Sequence, residues 1–178
     1  KSSAASDVYK RQGYMTPQEV QPDSRWAVLR EAQAEALHIA NTGMITAVDL
    51  GDPYDIHPKN KQDVGKRLAA LSLANTYRKG TYHMPVCTGY KVYDRTLALA
   101  FDSPVQANAG EVKGFVLAGP DGVFYPAKAT LQQNGKSVVL ESPQVEIPIA
   151  ARYNWADCPN GNLYSPSGVP VGPFRTDK

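Results

Sequence analysis

The spacing of hydrophobic and polar residues changes near residue 84. Before it, apolar residues recur at the helical period over residues 23–39, which predicts a helix with Asp23 or Ser24 as its N-cap. Its predicted apolar stripe consists of Trp26, Leu29, Ala32 or Gln33, Ala36 and Leu37. After residue 84 the helical period stops, so the chain divides into a part with helices and a part without them.

A strand and a second helix follow the first helix in the predicted order. Residues 44–50 form a near-continuous apolar run, which is typical of a strand buried in a parallel sheet. Pro58 then starts a helix predicted to end near Arg78, with Val64, Leu68, Leu71 and Asn75 facing inward. Helix, strand and helix in succession indicate a piece of a layered α/β domain, whose remaining strands we expect upstream.

Short β-prone runs occupy most of the second part of the chain. Turn-forming residues separate them, such as Gly119-Pro-Asp-Gly122 and Gln133-Asn-Gly135. The predicted strands cover residues 90–93, 96–101, 114–118, 122–125, 130–132, 137–140 and 149–153. Strands at this spacing predict a small antiparallel β-sandwich or meander, and the last 24 residues predict an irregular tail. The predicted fold class is therefore α/β followed by all-β.

The residues with the clearest catalytic chemistry lie between the predicted strand and the second helix. The segment Gly51-Asp-Pro-Tyr-Asp-Ile-His-Pro-Lys-Asn-Lys61 holds one histidine and two carboxylates. Open α/β sheets bind their ligands at the carboxyl ends of their strands, where His57 would lie. A histidine beside a carboxylate can act as a general base, because the carboxylate stabilises the imidazolium that forms. A helix-capping histidine without a catalytic role is the alternative.

The carboxylate partner of His57 has three candidates. Asp55 lies two residues before the histidine, so an extended backbone would place both side chains on one face. Asp52 could reach the ring through the Gly51-Asp-Pro turn, and Asp49 stands at the end of the predicted strand. No serine has the setting of a nucleophile: Ser72 is predicted mid-helix, and the others considered, Ser103, Ser142 and Ser165, adjoin prolines.

Several ordered segments resemble a known family. These are Trp26-Ala-Val-Leu-Arg-Glu-Ala-Gln33, Asn41-Thr-Gly-Met44, Val48-Asp-Leu-Gly-Asp52, Asp55-Ile-His-Pro-Lys-Asn-Lys61 and Val64-Gly-Lys-Arg-Leu68, followed by Lys113-Gly-Phe-Val-Leu-Ala-Gly119, Arg152-Tyr-Asn-Trp-Ala-Asp157, Asn162-Leu-Tyr164 and Pro173-Phe-Arg-Thr-Asp177. Together they resemble the carboxyl-terminal third of sialate O-acetylesterases, which are SGNH-type (GDSL-like) serine esterases with a three-layer α/β/α hydrolase domain. The resemblance extends from Asp23 to Asp177.

The resemblance implies a function and a place for His57 in it. His57 matches the base of a Ser-His-Asp triad, and Asp55 matches an acid beside it. The broader SGNH pattern puts the acid three residues before the histidine, where this chain has Tyr54, so Asp52 stays an alternative. The serine and oxyanion hole belong to blocks nearer the amino terminus. We therefore expect an inactive fragment of an enzyme that deacetylates sugars without a metal or cofactor, exported to the periplasm or outside the cell.

The first residues change the charge argument. The segment Ser2-Ser-Ala-Ala-Ser-Asp-Val-Tyr-Lys-Arg-Gln12 resembles the in-frame translation of a transposon-type sequencing adapter, so residues 1–12 are predicted to be non-native and disordered. Without them the formal net charge of +2 falls to zero. No basic patch then favours nucleic acid, and no apolar run is long enough to predict insertion in a membrane. Residues 13–84 and 85–178 are the predicted domains.

Aromatic residues near the carboxyl terminus suggest a second function. Tyr153, Trp155 and Tyr164, with Asp157 and Asn162, could form a sugar-stacking surface, which would make the chain a non-catalytic carbohydrate-binding β module. The alternative is that these rings anchor the Pro- and Gly-rich tail, which we favour. Cys87 and Cys158 could pair in an exported protein or stay as two free thiols.

Overall fold

A computed structural model describes residues 12–57 and 59–177. Within them the chain forms the helices α1 (Arg25–Ala34) and α2 (Lys61–Asn75), with 3₁₀ turns at Glu35–His38 and Val48–Leu50. Ten strands follow: β1 (Cys87–Tyr93), β2 (Thr96–Phe101), β3 (Gln106–Ala107), β4 (Phe115–Ala118), β5 (Phe124–Pro126), β6 (Lys128–Leu131), β7 (Ser137–Glu141), β8 (Ala150–Tyr153), β9 (Leu163–Tyr164) and β10 (Phe174–Arg175). Both predicted helices and the seven predicted strand runs are present. The helices are shorter than predicted, since α1 ends at Ala34 and α2 at Asn75, and Asn75 is exposed rather than facing inward.

Helix α1 has the predicted start but buries a different side. Ser24 is its N-cap, because the hydroxyl oxygen accepts a hydrogen bond from the Ala27 N–H at 3.0 Å. The predicted apolar stripe is wrong: Leu29 is 38% exposed and Leu37 is 43% exposed, while Ala27 and Arg30 are buried. The small side chain of Ala27 and the many donors of Arg30 suit a close contact with polar backbone, which periodicity in hydrophobicity does not reveal.

The predicted strand at residues 44–50 is wrong. Ile45, Ala47 and Val48 are buried, but the segment is irregular as far as Ala47 and then enters the 3₁₀ turn. A strand needs a neighbour for its N–H and C=O groups, and no described segment forms a ladder with this one. The carbonyl oxygen of Val48 instead accepts a hydrogen bond from the Gly13 N–H at 3.2 Å.

The strands form a sandwich of two antiparallel sheets. One has the order β1-β2-β7-β6 and the other β10-β8-β4-β5, and the short strands β3 and β9 pair with each other. Alternate residues of β2 and β7 point inward and meet residues of β4 and β8. The shared core contains Leu97, Leu99, Phe101, Phe115, Leu117, Val138, Leu140, Ala151, Tyr153 and Leu163. The sequence missed the two-residue strands β3, β9 and β10, which are too short to show a period.

The outer face of the second sheet is covered as well. Strands β4 and β8 are buried along their whole length, on both faces. Arg152 of β8 donates to the Pro22 carbonyl oxygen at 3.0 Å and binds the Asp177 carboxylate at 2.6 Å. Its guanidinium also lies 4.0 Å from the centre of the Phe124 ring. The segment that precedes α1 is thus fastened to this sheet by a charged side chain.

We expect Gly51→Ala to destabilise the protein. A Cβ at position 51 would overlap the carbonyl oxygen of Gly13, and backbone on both sides cannot give way as a side chain can. The unfolding free energy, measured with urea, should fall by about 3 kcal/mol. The matched control is Gly65→Ala in α2, where an added Cβ meets nothing within 4 Å. It should raise stability by about 0.5–1 kcal/mol. Unchanged stability of Gly51→Ala would contradict this account of the contact.

Candidate functional site

His57 lies in the exposed turn that joins the 3₁₀ turn to α2. The turn is built by its two carboxylates. Asp52 Oδ1 accepts a hydrogen bond from the Tyr54 N–H at 2.9 Å, and Asp55 Oδ1 accepts one from the His57 N–H at 2.8 Å. Each carboxylate therefore caps the backbone two residues ahead of it, as aspartates do in Asx turns.

The structure gathers His57, Asp55 and Asp52 into one turn without joining the ring to a carboxylate. Within residues 12–57 and 59–177, the hydrogen bonds of Asp55 and Asp52 go to backbone N–H groups and none goes to the imidazole. The ring is exposed, so it can meet a group supplied from outside this turn. Among the described residues, these side-chain hydrogen bonds engage Oδ1 of each carboxylate.

Asp49 has a different role from the two aspartates of the turn. Its carboxylate binds the Arg67 guanidinium through two parallel hydrogen bonds of 2.7 and 2.6 Å. The side chains are 12% and 14% exposed respectively, so this is a largely buried ion pair. The Tyr164 hydroxyl donates to Asp49 Oδ2 at 2.9 Å. Asp49 is thereby committed to Arg67 and Tyr164, which removes it from the candidates for the partner of His57.

The ion pair between Asp49 and Arg67 joins the segments on the two sides of the histidine turn. Asp49 precedes the turn, and Arg67 follows it in the second turn of α2. Arg67 also donates to the Thr46 carbonyl oxygen at 2.8 Å, which fixes the chain before the turn a second time. A bidentate guanidinium–carboxylate pair sets both distance and orientation. The two ends of the turn are therefore held at a defined separation.

Burial and charge around this pair change the ionisation of its members. Burial and the Asp49 charge raise the pKa of Tyr164 to about 12, so its hydroxyl stays a donor at neutral pH. Burial opposes the charge of Arg67, but the hydrogen bonds and charge of Asp49 outweigh it and raise the Arg67 pKa. Burial also raises the pKa of Tyr82. The Tyr82 hydroxyl is buried and has no hydrogen-bond partner among the described residues.

A serine, a histidine and an aspartate also meet at the end of β2, in an order that does not suit a triad. Ser103 Oγ donates to Asp102 Oδ1 at 3.1 Å, and His83 Nε2 lies 3.0 Å from Asp102 Oδ2. The carboxylate is thus the central member, whereas nucleophile activation requires the imidazole between serine and acid. This geometry agrees with the sequence-based rejection of Ser103 as a nucleophile.

The aromatic rings near the carboxyl terminus anchor the tail. Tyr153 is fully buried, and its hydroxyl accepts a hydrogen bond from the Leu163 N–H at 2.9 Å. Trp155 is 5% exposed, and the guanidinium groups of Arg152 and Arg175 lie 5.2 and 4.8 Å from its ring centre. Neither ring can stack on a sugar in this position. The sugar-stacking surface proposed from the sequence is therefore wrong for these two residues.

Asp157 and Arg30 form a contact that sequence reasoning missed. The Asp157 carboxylate accepts hydrogen bonds from Ser24 Oγ at 2.6 Å and from Gln21 Nε2 at 2.7 Å, at the start of α1. Arg30 donates to the carbonyl oxygens of Ala156 and Asp157 at 2.6 and 2.7 Å. Burial lowers the pKa of Arg30 to about 10, which leaves it charged at neutral pH. Arg30 is one of several polar residues in α1, so no feature of the sequence marks it as the one that makes this contact.

The amino-terminal edge of the described chain touches the histidine turn. Gln12 is buried, and its side-chain amide donates to the carbonyl oxygen of Ile56. Its own carbonyl oxygen accepts a hydrogen bond from Arg30 at 2.8 Å. Gln12 is the last residue of the predicted adapter segment, whose other residues lie outside the described part of the chain.

A cleft of about 520 Å³ lies away from the histidine turn. It runs between the end of α1, residues 44–46, residues 84–90 and residues 172–176, and its walls are mainly apolar. His57, Asp55 and Asp52 do not line it.

Three further observations concern metal ligands, membrane-spanning helices and the two cysteines. Across residues 12–57 and 59–177, no three His, Cys, Asp or Glu side chains cluster in a way that could hold a metal ion. No helix in that part of the chain has the length and apolar character to cross a bilayer. Cys87 and Cys158 are free thiols, and burial raises the pKa of both, so they are less reactive than exposed cysteines.

Comparison with known proteins connects the chain to solved structures. No protein-family model matches the chain, and no curated protein sequence matches it. A solved structure does match: the crystal structure of a carbohydrate acetylesterase from Xanthomonas citri, with 36% sequence identity and a TM-score of 0.87. The match covers 95% of this chain and 40% of that chain. The chain thus has the fold of a part of a carbohydrate acetylesterase and spans less than half of that protein's length.

We expect Asp49→Asn to cost about 3 kcal/mol of unfolding free energy, because it leaves the largely buried Arg67 charge without its counter-ion. Urea unfolding of the 178-residue chain measures this loss. The matched control is Glu146→Gln, which breaks the exposed Arg95–Glu146 pair. That control should change stability by less than about 0.5 kcal/mol. Equal effects of the two substitutions would show that the buried pair does not hold the structure as described.

Proposed function

We propose that this chain is the carboxyl-terminal part of a carbohydrate O-acetylesterase of the sialate O-acetylesterase type, a serine esterase of the SGNH class. The observation that carries the proposal is the match to a carbohydrate acetylesterase at 36% identity over 95% of the chain. The residues that resemble sialate O-acetylesterases include the histidine turn, the part of the chain with the chemistry for acyl transfer.

In this proposal His57 is the general base of a Ser-His-Asp mechanism. It takes the proton of a serine hydroxyl as the serine oxygen attacks the acetyl carbonyl carbon. It then returns that proton to the sugar oxygen as the bond between that oxygen and the acetyl carbon breaks. In deacylation His57 takes a proton from water as the water oxygen attacks the acetyl carbon. It returns that proton to the serine oxygen as the bond between that oxygen and the acetyl carbon breaks, which releases acetate and restores the serine. The serine and the groups that stabilise the oxyanion would come from a segment upstream, so this chain alone should be inactive.

The exposure of His57 supports this assignment. A base that receives its nucleophile from another segment must present its ring outward, and the His57 ring is exposed. Meanwhile the turn that carries it is fixed at its two ends by Asp49 and Arg67. A mobile exposed loop could not hold an imidazole within hydrogen-bond reach of a serine, whereas an anchored one can.

Apolar groups left at the surface of the helical part support the presence of further chain in the complete enzyme. Val28, Ile39, Leu73 and Tyr77 are all exposed, and residues 44–47 lie between the two helices without forming a strand. We propose that residues 13–84 belong to a three-layer hydrolase domain completed by upstream strands. Residues 85–178 form the β-rich domain of this proposal, and residues 1–12 remain predicted to be an adapter translation.

The proposed substrate is an acetylated sugar, with O-acetylated sialic acid as the specific candidate. The first rests on the matched carbohydrate acetylesterase and the second on the family resemblance. By the same resemblance we propose export to the periplasm or the cell exterior. Burial of Tyr153 and Trp155 weakens the alternative of a non-catalytic carbohydrate-binding module, because two of the three rings considered for it are unavailable.

We expect His57→Ala to abolish esterase activity in the enzyme extended upstream to include its serine. Loss of a triad member typically lowers kcat by roughly 10⁴-fold or more. The assay is hydrolysis of an acetyl ester, with circular dichroism to show that the fold is kept. The matched control is His83→Asn, where the amide can still donate to Asp102. Full activity in His57→Ala would place the base elsewhere.

We expect Asp55→Asn to lower kcat far more than Asp52→Asn in the same extended enzyme. An asparagine at either position keeps the oxygen that accepts the backbone N–H of the turn, so the turn should persist and the loss reports on charge alone. Asp55 should cost roughly 10²–10⁴-fold and Asp52 less than about fivefold. A larger loss for Asp52→Asn would reassign the acid to Asp52.

A further inference from the structure

We propose that Tyr164 is a positioning residue, whose hydroxyl holds the Asp49 carboxylate and through it the turn that carries His57. The inference rests on the proposed function for its catalytic meaning, but its structural content stands on the contacts alone. It assigns to the β-rich part of the chain a role in the chemistry of the helical part.

Tyr164 is connected to the turn through a single carboxylate, that of Asp49. The Tyr164 hydroxyl is 2.9 Å from Asp49 Oδ2, the same oxygen that Arg67 Nη2 approaches at 2.6 Å. In the sequence, Asp49 lies two residues before Gly51, where the turn begins. Three hydrogen bonds thus converge on one carboxylate, and its position fixes the start of the turn relative to α2.

The backbone of Tyr164 is held in place by two neighbouring segments. Its strand β9 pairs with β3 through Gln106, and a β-bridge links Tyr164 to Pro170. The preceding residue, Leu163, is fully buried in the core of the sandwich. The phenol therefore projects from a fixed backbone, so the hydrogen bond to Asp49 transmits the position of the sandwich to the turn.

The contact between Tyr164 and Asp49 matters for His57 because a general base must be accurately placed. A general base acts only within hydrogen-bond reach of the proton it takes, and a misplacement of about 1 Å can cost roughly 10²-fold in rate. The hydrogen bonds of Asp52 and Asp55 shape the turn internally but do not connect it to the rest of the protein. The Asp49 carboxylate provides such a connection, and Tyr164 is its link to the β-rich part.

The test is Tyr164→Phe in the 178-residue chain, followed by amide hydrogen exchange with NMR detection. Loss of a hydrogen bond to a charged group should raise exchange about tenfold at Leu50, Tyr54 and His57, with exchange of the Leu97 and Val138 amides in the core unchanged. Unchanged exchange at the turn would overturn the proposal. So would an equal rise at every amide, because that would indicate global destabilisation.

Tyr82→Phe is the matched control. It removes a hydroxyl close to the same ion pair, but one with no hydrogen-bond partner among the described residues. Exchange at the turn should be the same as in the unmodified chain or slower, since an unsatisfied buried group is removed. Faster exchange in this control, matching Tyr164→Phe, would show that any loss of a hydroxyl here loosens the turn and would overturn the specific role of Tyr164.

The extended enzyme tests the catalytic consequence. Tyr164→Phe should lower kcat about tenfold while KM changes less than about twofold, because the base is misplaced and the sugar contacts are not. Tyr82→Phe should keep both constants. An unchanged kcat in Tyr164→Phe would overturn the positioning role. An unmodified extended enzyme without esterase activity would overturn the proposed function, and the exchange measurement would still decide whether Tyr164 holds the turn.

Discussion

The Asp49 carboxylate is the contact on which the arrangement of the site depends. It receives Arg67 from α2 and Tyr164 from β9, so one side chain joins three segments that are distant in sequence. A carboxylate this buried is stable only when its charge is matched and its oxygens are satisfied. These contacts hold the segment before the histidine turn, the helix after it and the sandwich in one relative arrangement. The position of the exposed turn is therefore defined as well.

Other hydrogen bonds between the helical and β-rich parts also come from arginine side chains. Arg30, Arg152 and Arg175 reach across the boundary to backbone carbonyls of residues 156–157, to Pro22 and to Glu31 respectively. Each guanidinium offers several donors in a fixed plane, so it can satisfy oxygens that an apolar contact would leave unpaired. Trp155 contacts the guanidinium groups of Arg152 and Arg175. The irregular tail is ordered because polar and aromatic contacts replace a ladder of strands.

Sequence patterns predicted the elements more reliably than the contacts between them. The period-two runs gave β2 and β7 nearly to the residue, because each buries one face in the sandwich. The stripe of α1 was wrong because Arg30 faces inward, and residues 44–50 were wrong because a buried apolar run does not reveal whether a strand partner exists. His57, Asp55 and Asp52 were expected together and do share one turn. The contact between Tyr164 and Asp49 could not be foreseen, since only the tertiary fold brings the two residues together.

In the proposed function, the histidine turn is the base-bearing half of an acyl-transfer site, anchored by this chain and completed by a serine upstream. The DNA sequence upstream of the Gly13 codon in the source gene tests this claim most directly. We predict an open reading frame that continues upstream and contains a Gly-Gln-Ser-Asn type segment directly after a strand pattern. A complete gene without a serine on such a glycine-flanked turn would contradict the account.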